Sequence, residues 1–367
     1  MQYLGYAFDT HGVMKPNLTN FSAWLQRLVT LSLSPHQKLT LLRVHLLPRL
    51  LHFLMSPRTP VATLKNVDKV TRHYIKRIVH LHLHTADALI HAPLKDGGLG
   101  ICQVAISIPT ILLRRITKLK SRNPDDAVLL AALSSVRVAN LISKQEELGN
   151  KYPPTYHRRE ISEGAFSKGL EKAKEDPSSR RWIIERPRGW SGSDWVRAVH
   201  LRTANLPTLG IMSNPAALRG CRGGCKAHET ICHVLQACPI SHDSRVVRHN
   251  NIAAKIAAHC TKRGWSTLEE PHVRHPDGTL YKPDVVTFPS PNTAIICDVQ
   301  ISWETSEPMK SIWDRKRLAY DNAKFREAAQ KKWPDVALTF LPCTIGAREN
   351  WPACNKPLRK VIASVLK

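Results

Sequence analysis

The sequence predicts a multidomain protein: a long all-α half, a small metal-binding Cys/His module and a C-terminal α/β domain. Three observations predict it. Apolar residues recur at three- and four-residue spacing through much of residues 18–147, the mark of helices with one buried face. Four of the nine cysteines fall between Cys221 and Cys238. After residue 251 the pattern alternates helix, short strands, helix and strand, an α/β order. With 367 residues, 43% of them hydrophobic, the chain has room for two or three domains and a real core.

The helical half starts at residue 18. Leu25, Leu28, Val29, Leu39, Leu42 and Leu46 share one helical face through residue 54. "SPHQKL" interrupts the run, because Ser34 suits an N-cap and Pro35 a first helical position. A further helix is expected from Thr63 to about His84, and more helix over 103–147. Between them "APLKDGGLGI" (92–101) is a Pro/Gly turn. Residues 148–180, broken by Pro153, Pro154 and Pro177, read as linker. "DWVRAVHLRTANLPT" (194–208) reads as a basic amphipathic helix, with Arg197 and Arg202 expected at nucleic acid.

"CRGGCKAHETICHVLQAC" supplies the module. Cys221 and Cys225, then His233, then Cys238 follow a C-x3-C-x7-H-x4-C order. Two close thiols followed by a histidine and a cysteine about one helical turn apart can converge on a tetrahedral ion, so a structural zinc site is expected. Cys232 and His228 are spare candidates. All four positions are filled by protein, which leaves none open for chemistry. "HDSRVVRHN" follows, where Arg245, Arg248 and His249 could cover one side of a short helix and meet phosphates. A solvated surface helix is the competing reading.

In the last segment "NIAAKIAAHCTKRGW" is expected as a helix capped by Asn250 or Asn251 and ended by Gly264. "PHVRHPDGTLYKPDVVTF" reads as a hairpin turning at Asp277-Gly278, "AIICDVQIS" as a buried strand, 308–333 as one long helix, and "DVALTFLPCTIG" as a last strand. Asp284 and Asp298 matter most. If their strands pair, both carboxylates reach one end of the sheet and suit a hard cation such as Mg²⁺, which can polarise a phosphodiester and activate water. Lys316, two turns into the long helix, is the candidate for offsetting charge on phosphate, with Tyr320 one turn further. The plainer alternative is two strand-end aspartates and a surface lysine.

Fifty-four Lys+Arg against 29 Asp+Glu gives a net charge of +25. Such a balance points to nucleic acid first and an anionic membrane second. The first 120 residues alone carry 16 Lys/Arg and four Asp/Glu. No apolar run reaches membrane-spanning length, since "LTLLRVHLLPRLLHFLM" is broken by Arg43, His45, Pro48 and Arg49. The N-terminus lacks the pattern of a signal peptide. An odd cysteine count with a metal-like cluster fits a reducing compartment, cytosol or nucleus, better than a disulfide framework.

Pro283-Asp284 and Asp298 resemble the first parts of the restriction-like endonuclease motif, which is Pro-Asp, a spacer, then Asp or Glu-x-Lys. Gln300 stands where that motif has its lysine, and relocation of the lysine to the following helix points to Lys316 rather than Lys310 or Lys324. A closer resemblance covers nearly the whole chain: the C-terminal part of the Pol protein of non-LTR retrotransposons of the rDNA-targeting R-two class. It rests on "YLGY" (3–6), "HAPLKDGGLGI", "LRTANLPT", "CRGGC…ETICHVLQAC…SHDSRVVRHN", and "YKPDVVTF…AIICDVQISWE" with "DRKRLAY". The resemblance implies the end of a polymerase palm (1–12), a helical thumb and following segment (13–147), a linker with a basic helix (148–215), a Cys-Cys-His-Cys zinc knuckle (216–250) and a restriction-like endonuclease domain (251–367). It implies Zn²⁺ in the knuckle, catalytic Mg²⁺, target DNA and element RNA as partners, no membrane, and a nuclear location. The endonuclease would nick target DNA, and the polymerase half of a parent protein would prime cDNA synthesis from the exposed 3′ end. The Tyr-x-Asp-Asp of the palm has no counterpart in this sequence, and "NPDDAV" (123–128) lacks its context. A fragment or truncated copy is therefore expected, with RNA-directed DNA polymerase activity only in the full-length parent. The alternative is a catalytically inactive remnant whose knuckle and basic helices bind nucleic acid without cutting.

Overall fold

Ser34 ends one amphipathic run and starts the next: its backbone N–H donates to Gln37 Oε1 at 2.9 Å, and Pro35 presets the first helical φ. Such local stops divide a chain described in the computed structural model at residues 2–3, 6–10, 12–13, 18–56, 59–153, 155–164, 167–210, 215, 218–305 and 307–363. These form two units, Met1–Ser167 with Arg181–Asn205, and Lys168–Arg180 with Leu206–Lys367.

The first unit opens with three short antiparallel strands, β1 (Gln2–Tyr3), β2 (Tyr6–Asp9) and β3 (Gly12–Val13). Leu4 and Gly5 of "YLGY" lie outside the described residues. Helices then follow: α1 (Thr19–Thr30), α2 (Pro35–Leu41), a π-helical segment (Leu42–Leu46), α3 (Leu47–Leu54) and α4 (Val61–Ile78). α5 (Asp87–His91), α6 (Val104–Arg122), α7 (Ala127–Ser134), α8 (Val136–Lys151) and α9 (Tyr156–Glu163) continue the series. α10 (Ser178–Ile184), whose first three residues belong to the second unit, and α11 (Gly192–Arg202) complete it. The three- and four-residue spacing has its expected result. Leu25, Leu42, Leu54, Ile75, Ile90 and Trp195 are wholly buried in one cluster, so truncating any one of these leucines should cost about 2–5 kcal/mol.

Local chemistry sets the joints. At the 92–101 turn a Cβ on Gly98 would lie 2.3 Å from Ala92 O, so only glycine fits that close approach. Asp68 starts α6 from a distance, accepting from Val104 N at 2.8 Å and Ala105 N at 3.0 Å. Burial pushes its carboxyl up to about 6. The helix expected over 103–147 is three helices, because Asp126 caps a new start by accepting from Leu129 N. The 148–215 segment, expected as a linker with one basic helix, carries α9 and α10 as well as that helix, α11.

The second unit mixes helix and sheet. α12 (Ile231–Gln236) and α13 (His242–Thr261) precede the strands. A separate helix was expected to start at Asn250 or Asn251; both lie inside α13, whose N-terminal half is the "HDSRVVRHN" segment. β4 (Ser266–Glu269), the β5–β6 hairpin (Val273–Arg274, Leu280–Tyr281), β7 (Val285–Ser290), β8 (Thr293–Cys297) and β9 (Val299–Ser302) follow. A tight turn at Asp277-Gly278 was expected to put both residues at positive φ; Gly278 takes it, at 91°, and Asp277 does not. α14 (Met309–Tyr320) and α15 (Ala323–Lys332) replace the single long helix, because Asn322 accepts from Phe325 N at 2.9 Å and caps a new start. β10 (Ala337–Phe340), β11 (Cys343–Gly346) and α16 (Lys356–Ala363) end the described chain.

The main sheet has the order β10-β8-β7-β4. β7 is antiparallel to both β4 and β8, and β10 runs parallel to β8. A second parallel pair joins β9 to β11. The two strands expected as continuous are each broken, at Asp298 and at Leu341-Pro342, where Pro342 has no N–H to donate. Leu341 N to Ile296 O and Cys343 N to Asp298 O, both 2.9 Å, carry the pairing across the break. The apolar run explains itself by burial on both faces. Val285, Ile295 and Cys297 join Ala253 and Ala257 of α13 on one face. Val286, Ala294 and Ile296 join Phe325 and Ala328 of α15 on the other.

Candidate functional sites: a Cys/His cluster and a carboxylate pair

Cys221, Cys225, His233 and Cys238 come together as expected. Their ligand atoms all lie within 4.8 Å of one another. Cys221 Sγ and Cys238 Sγ are 3.5 Å apart, and Cys225 Sγ is 3.0 Å from His233 Nε2. Four such donors at these separations could hold one tetrahedral metal ion. Among the described residues no other three or more Cys, His, Asp or Glu side chains converge this way. The spare candidates Cys232 and His228 stay outside the set.

Local bonding shapes this loop. Gly224 takes φ +70°, which closes the turn between the first two cysteines. Gly223 N donates to Cys221 Sγ at 3.3 Å. Thr230 caps α12 by accepting from His233 N. Arg222 then grips the buried Glu229, with Nε 3.0 and 2.9 Å from the two carboxylate oxygens and Nη2 at 2.6 Å. Arg222 beside it holds the Glu229 carboxyl down at about 2.

The second site lies where β7 and β8 meet. Val285 pairs with Cys297, so Asp284 and Asp298 occupy adjoining strand ends, both buried. Asp284 Oδ2 accepts from Val299 N at 2.6 Å and lies 3.2 Å from His249 Nε2. The same His249 nitrogen is 3.1 Å from Val299 O. Asp298 Oδ1 is 3.1 Å from Tyr320 Oη, which is also 2.9 Å from Lys282 O. Asp298 Oδ2 is 2.5 Å from Lys316 Nζ. That contact is an ion pair without an aligned hydrogen bond, and Oδ2 is a buried acceptor with no hydrogen-bond partner.

Charge differs between the two acids. Burial raises the Asp284 carboxyl, but the His249 ring and the Val299 amide outweigh it and hold it below the usual range. Burial, then the Asp284 charge, pushes Asp298 up against the opposing Lys316. The hydrogen bond to Asp284 raises His249 to about 9. Burial, then Asp298, raises Tyr320 far above the phenol range, so it stays a donor.

Lys316 is the lysine that reaches Asp298. Lys310 pairs with Asp314, and Lys324 pairs with Asp277 at 2.7 Å. The arginines expected at nucleic acid are placed variously. Arg197 is exposed, with Nη1 3.9 Å from Asp194. Arg202 is 1% exposed and stacks over Trp182 at 5.5 Å, so it serves the core and is closed to phosphate, a correction to its expected place. Arg245 and Arg248 turn inward to carbonyls at the end of α12, and His249 turns to Asp284. Sequence reasoning gave no sign of that last contact. It also passed over Glu304 and Arg348, a wholly buried ion pair at 2.9 Å beyond β9 and β11, whose one signal was a charge next to apolar strand.

No protein-family model matches the chain. Among curated proteins it is 45% identical over 363 residues to a Retrovirus-related Pol polyprotein from type-1 retrotransposable element R2 of Popillia japonica, covering 99% of the chain and 51% of that protein. A second such polyprotein from that organism is 38% identical over 343 residues, 93% of the chain and 76% of the relative. The Pol polyprotein from type-2 retrotransposable element R2DM of Drosophila melanogaster is 29% identical over 374 residues, 35% of its length. The chain spans about half the length of the first of these.

Proposed function

The chain belongs to the Pol polyproteins of R2 retrotransposable elements, and we propose that it supplies the magnesium-dependent DNA endonuclease of such a protein, nicking target DNA so that the exposed 3′ end primes reverse transcription. The observation that carries this reading is the meeting of Asp284, Asp298 and Lys316 at one sheet end. The sheet around them is read as a restriction-like nuclease core.

The donors fit a hard cation. Two buried carboxylates stand at one sheet end, and a single cationic side chain, Lys316, pairs with Asp298 Oδ2. Asp284 and Asp298 would hold a magnesium ion, which would supply Lewis-acid polarisation of the phosphodiester and activation of water. Tyr320 holds Asp298 Oδ1, and a cation on Oδ2 would displace the Lys316 ammonium that pairs with it. Lys316 brings a positive charge beside the same oxygen, placed to offset charge developing on the phosphoryl oxygens. The Cys/His cluster, loaded with zinc, keeps its loop folded as a module that handles nucleic acid, together with the exposed Arg197. Element RNA and the polymerase half of a full-length parent complete the machinery, in the nucleus.

Supercoiled plasmid tests the reading, incubated with wild type or Asp298→Ala, with Mg²⁺ or EDTA. Nicking that needs Mg²⁺ and disappears in the variant is the expected result. A folded, zinc-loaded, DNA-binding wild type that never nicks would favour a nuclease that needs the polymerase half, or the other reading, a binding remnant, which the net charge of +25 supports equally well.

A further inference from the structure

α13 touches both sites with one face. Arg245, Arg248 and His249 stand at i, i+3 and i+4, so their side chains share that face. Arg245 donates to Gln236 O, and to Cys238 O at 3.3 Å. Arg248 donates to Leu235 O at 2.9 Å. Leu235 and Gln236 lie between His233 and Cys238, two members of the Cys/His cluster, and the third carbonyl is that of Cys238 itself. One residue further along the helix, His249 Nε2 faces only acceptors, Asp284 Oδ2 at 3.2 Å and Val299 O at 3.1 Å. It must therefore carry a proton and donate it. His249 does not converge with Asp284 and Asp298 into a three-ligand set, so it braces Asp284 without joining the cation site.

We propose that His249 is a positioning residue for Asp284, and that α13 ties its position to the Cys/His cluster, so that the cluster and the carboxylate pair form one linked system. The inference rests on the reading of the carboxylate pair as a divalent-cation site. The physical basis is that a ligand's outer hydrogen-bond partner fixes its orientation and basicity. A helix gripped at one end by the cluster's own carbonyls cannot shift without moving the histidine at its other contact. Linkage of this kind is reciprocal: an ion at the carboxylates also tightens the cluster's hold on zinc.

The test measures Mn²⁺ binding by electron paramagnetic resonance on the zinc-loaded full chain. Asp298→Asn identifies the site. His249→Ala should weaken Asp298-dependent binding about tenfold or more, and His249→Gln, which keeps an N–H donor, should recover most of it. The double variant Arg245→Ala/Arg248→Ala should weaken Mn²⁺ binding while still holding one zinc per chain. Wild-type affinity in His249→Ala would overturn the positioning role, as would equal losses in the Gln and Ala variants. Wild-type affinity in the arginine double variant would overturn the tie through α13. If His249→Ala does not fold, the Gln and arginine variants still decide the matter. Absence of Asp298-dependent Mn²⁺ binding in folded wild type would remove the cation site and the proposal with it. Binding that responds to His249 without nicking, either by this chain or by the full-length parent with its RNA, would refute the nuclease reading alone.

Discussion

The Cys/His cluster and the carboxylate pair are two ways of building a site. The cluster takes its four groups from a single short segment, Cys221 to Cys238. The pair takes its groups from α13, the ends of β7 and β8, and α14. A short loop with two glycines between its first thiols has little core of its own, so its shape depends on the ion. The carboxylates sit on strands whose inner residues are buried on both faces, and their geometry comes from the sheet. The difference teaches that one site is made by local chain chemistry and the other by topology.

Substitutions should separate the two. The largest effect is expected from Asp298→Asn, which should lower nicking at least about 10³-fold while the fold persists. Circular dichroism and plasmid relaxation read both halves of that claim, and a melted protein would show that the acid serves structure as well. Lys316→Ala should cost about 10²–10³-fold in the nicking rate with DNA affinity little changed. A variant that loses affinity and keeps its rate would make Lys316 a binding residue. Cys221→Ser should break the cluster and leave the sheet folded: the variant should yield its zinc at chelator concentrations that leave wild type loaded. Limited proteolysis should then cut near 218–238 while the sheet survives. Simultaneous loss of the sheet would show that the two sites share one folding unit.

A smaller effect comes from a buried acid that belongs to neither site. Asp68 caps α6, and its carboxyl is raised to about 6 in the folded chain from 3.8. The unfolded chain therefore ionises first. Stability from this group is complete below about pH 4, falls as the pH rises to 6 and is then level, a loss of about 3 kcal/mol. Unfolding of wild type and Asp68→Asn from pH 4 to 7 checks it. The wild type should show that slope, and the variant should lack it.

Much of the helical half and all of the Cys/His cluster were legible, because three- and four-residue periodicity and ligand spacing are local signals. The pairing of Asp284 with Asp298 was legible as a condition on strand pairing, and the register of β7 with β8 meets it. What sequence could not supply were contacts made by the fold. The apolar stripe around "LRTAN" did not reveal that Arg202 points into the core to stack on Trp182. The polar run "SRVVRHN" looked like a surface face, yet its arginines turn back to carbonyls that an isolated reading cannot place. Breaks at Asp298, Asn322 and Pro342 were missed where one residue's hydrogen bonding, or its want of an N–H, overruled a continuous apolar or helical pattern.

The β7–β8 hairpin has a consequence for genetics. Val285 faces Cys297, Val286 faces Ile296 and Thr287 faces Ile295, with one irregularity before Ser290 meets Thr293. Gain or loss of a single codon inside this hairpin leaves the reading frame intact but slips the register by one residue, which sends alternate side chains to the opposite face. The same lesion in the turn at 275–279 lengthens an exposed loop. If copies of the element are selected for this domain's activity, in-frame length changes should be scarce over codons 285–287 and 295–297 and tolerated at 275–279. Sequence length in that hairpin would then sort competent copies from dead ones before any protein is made.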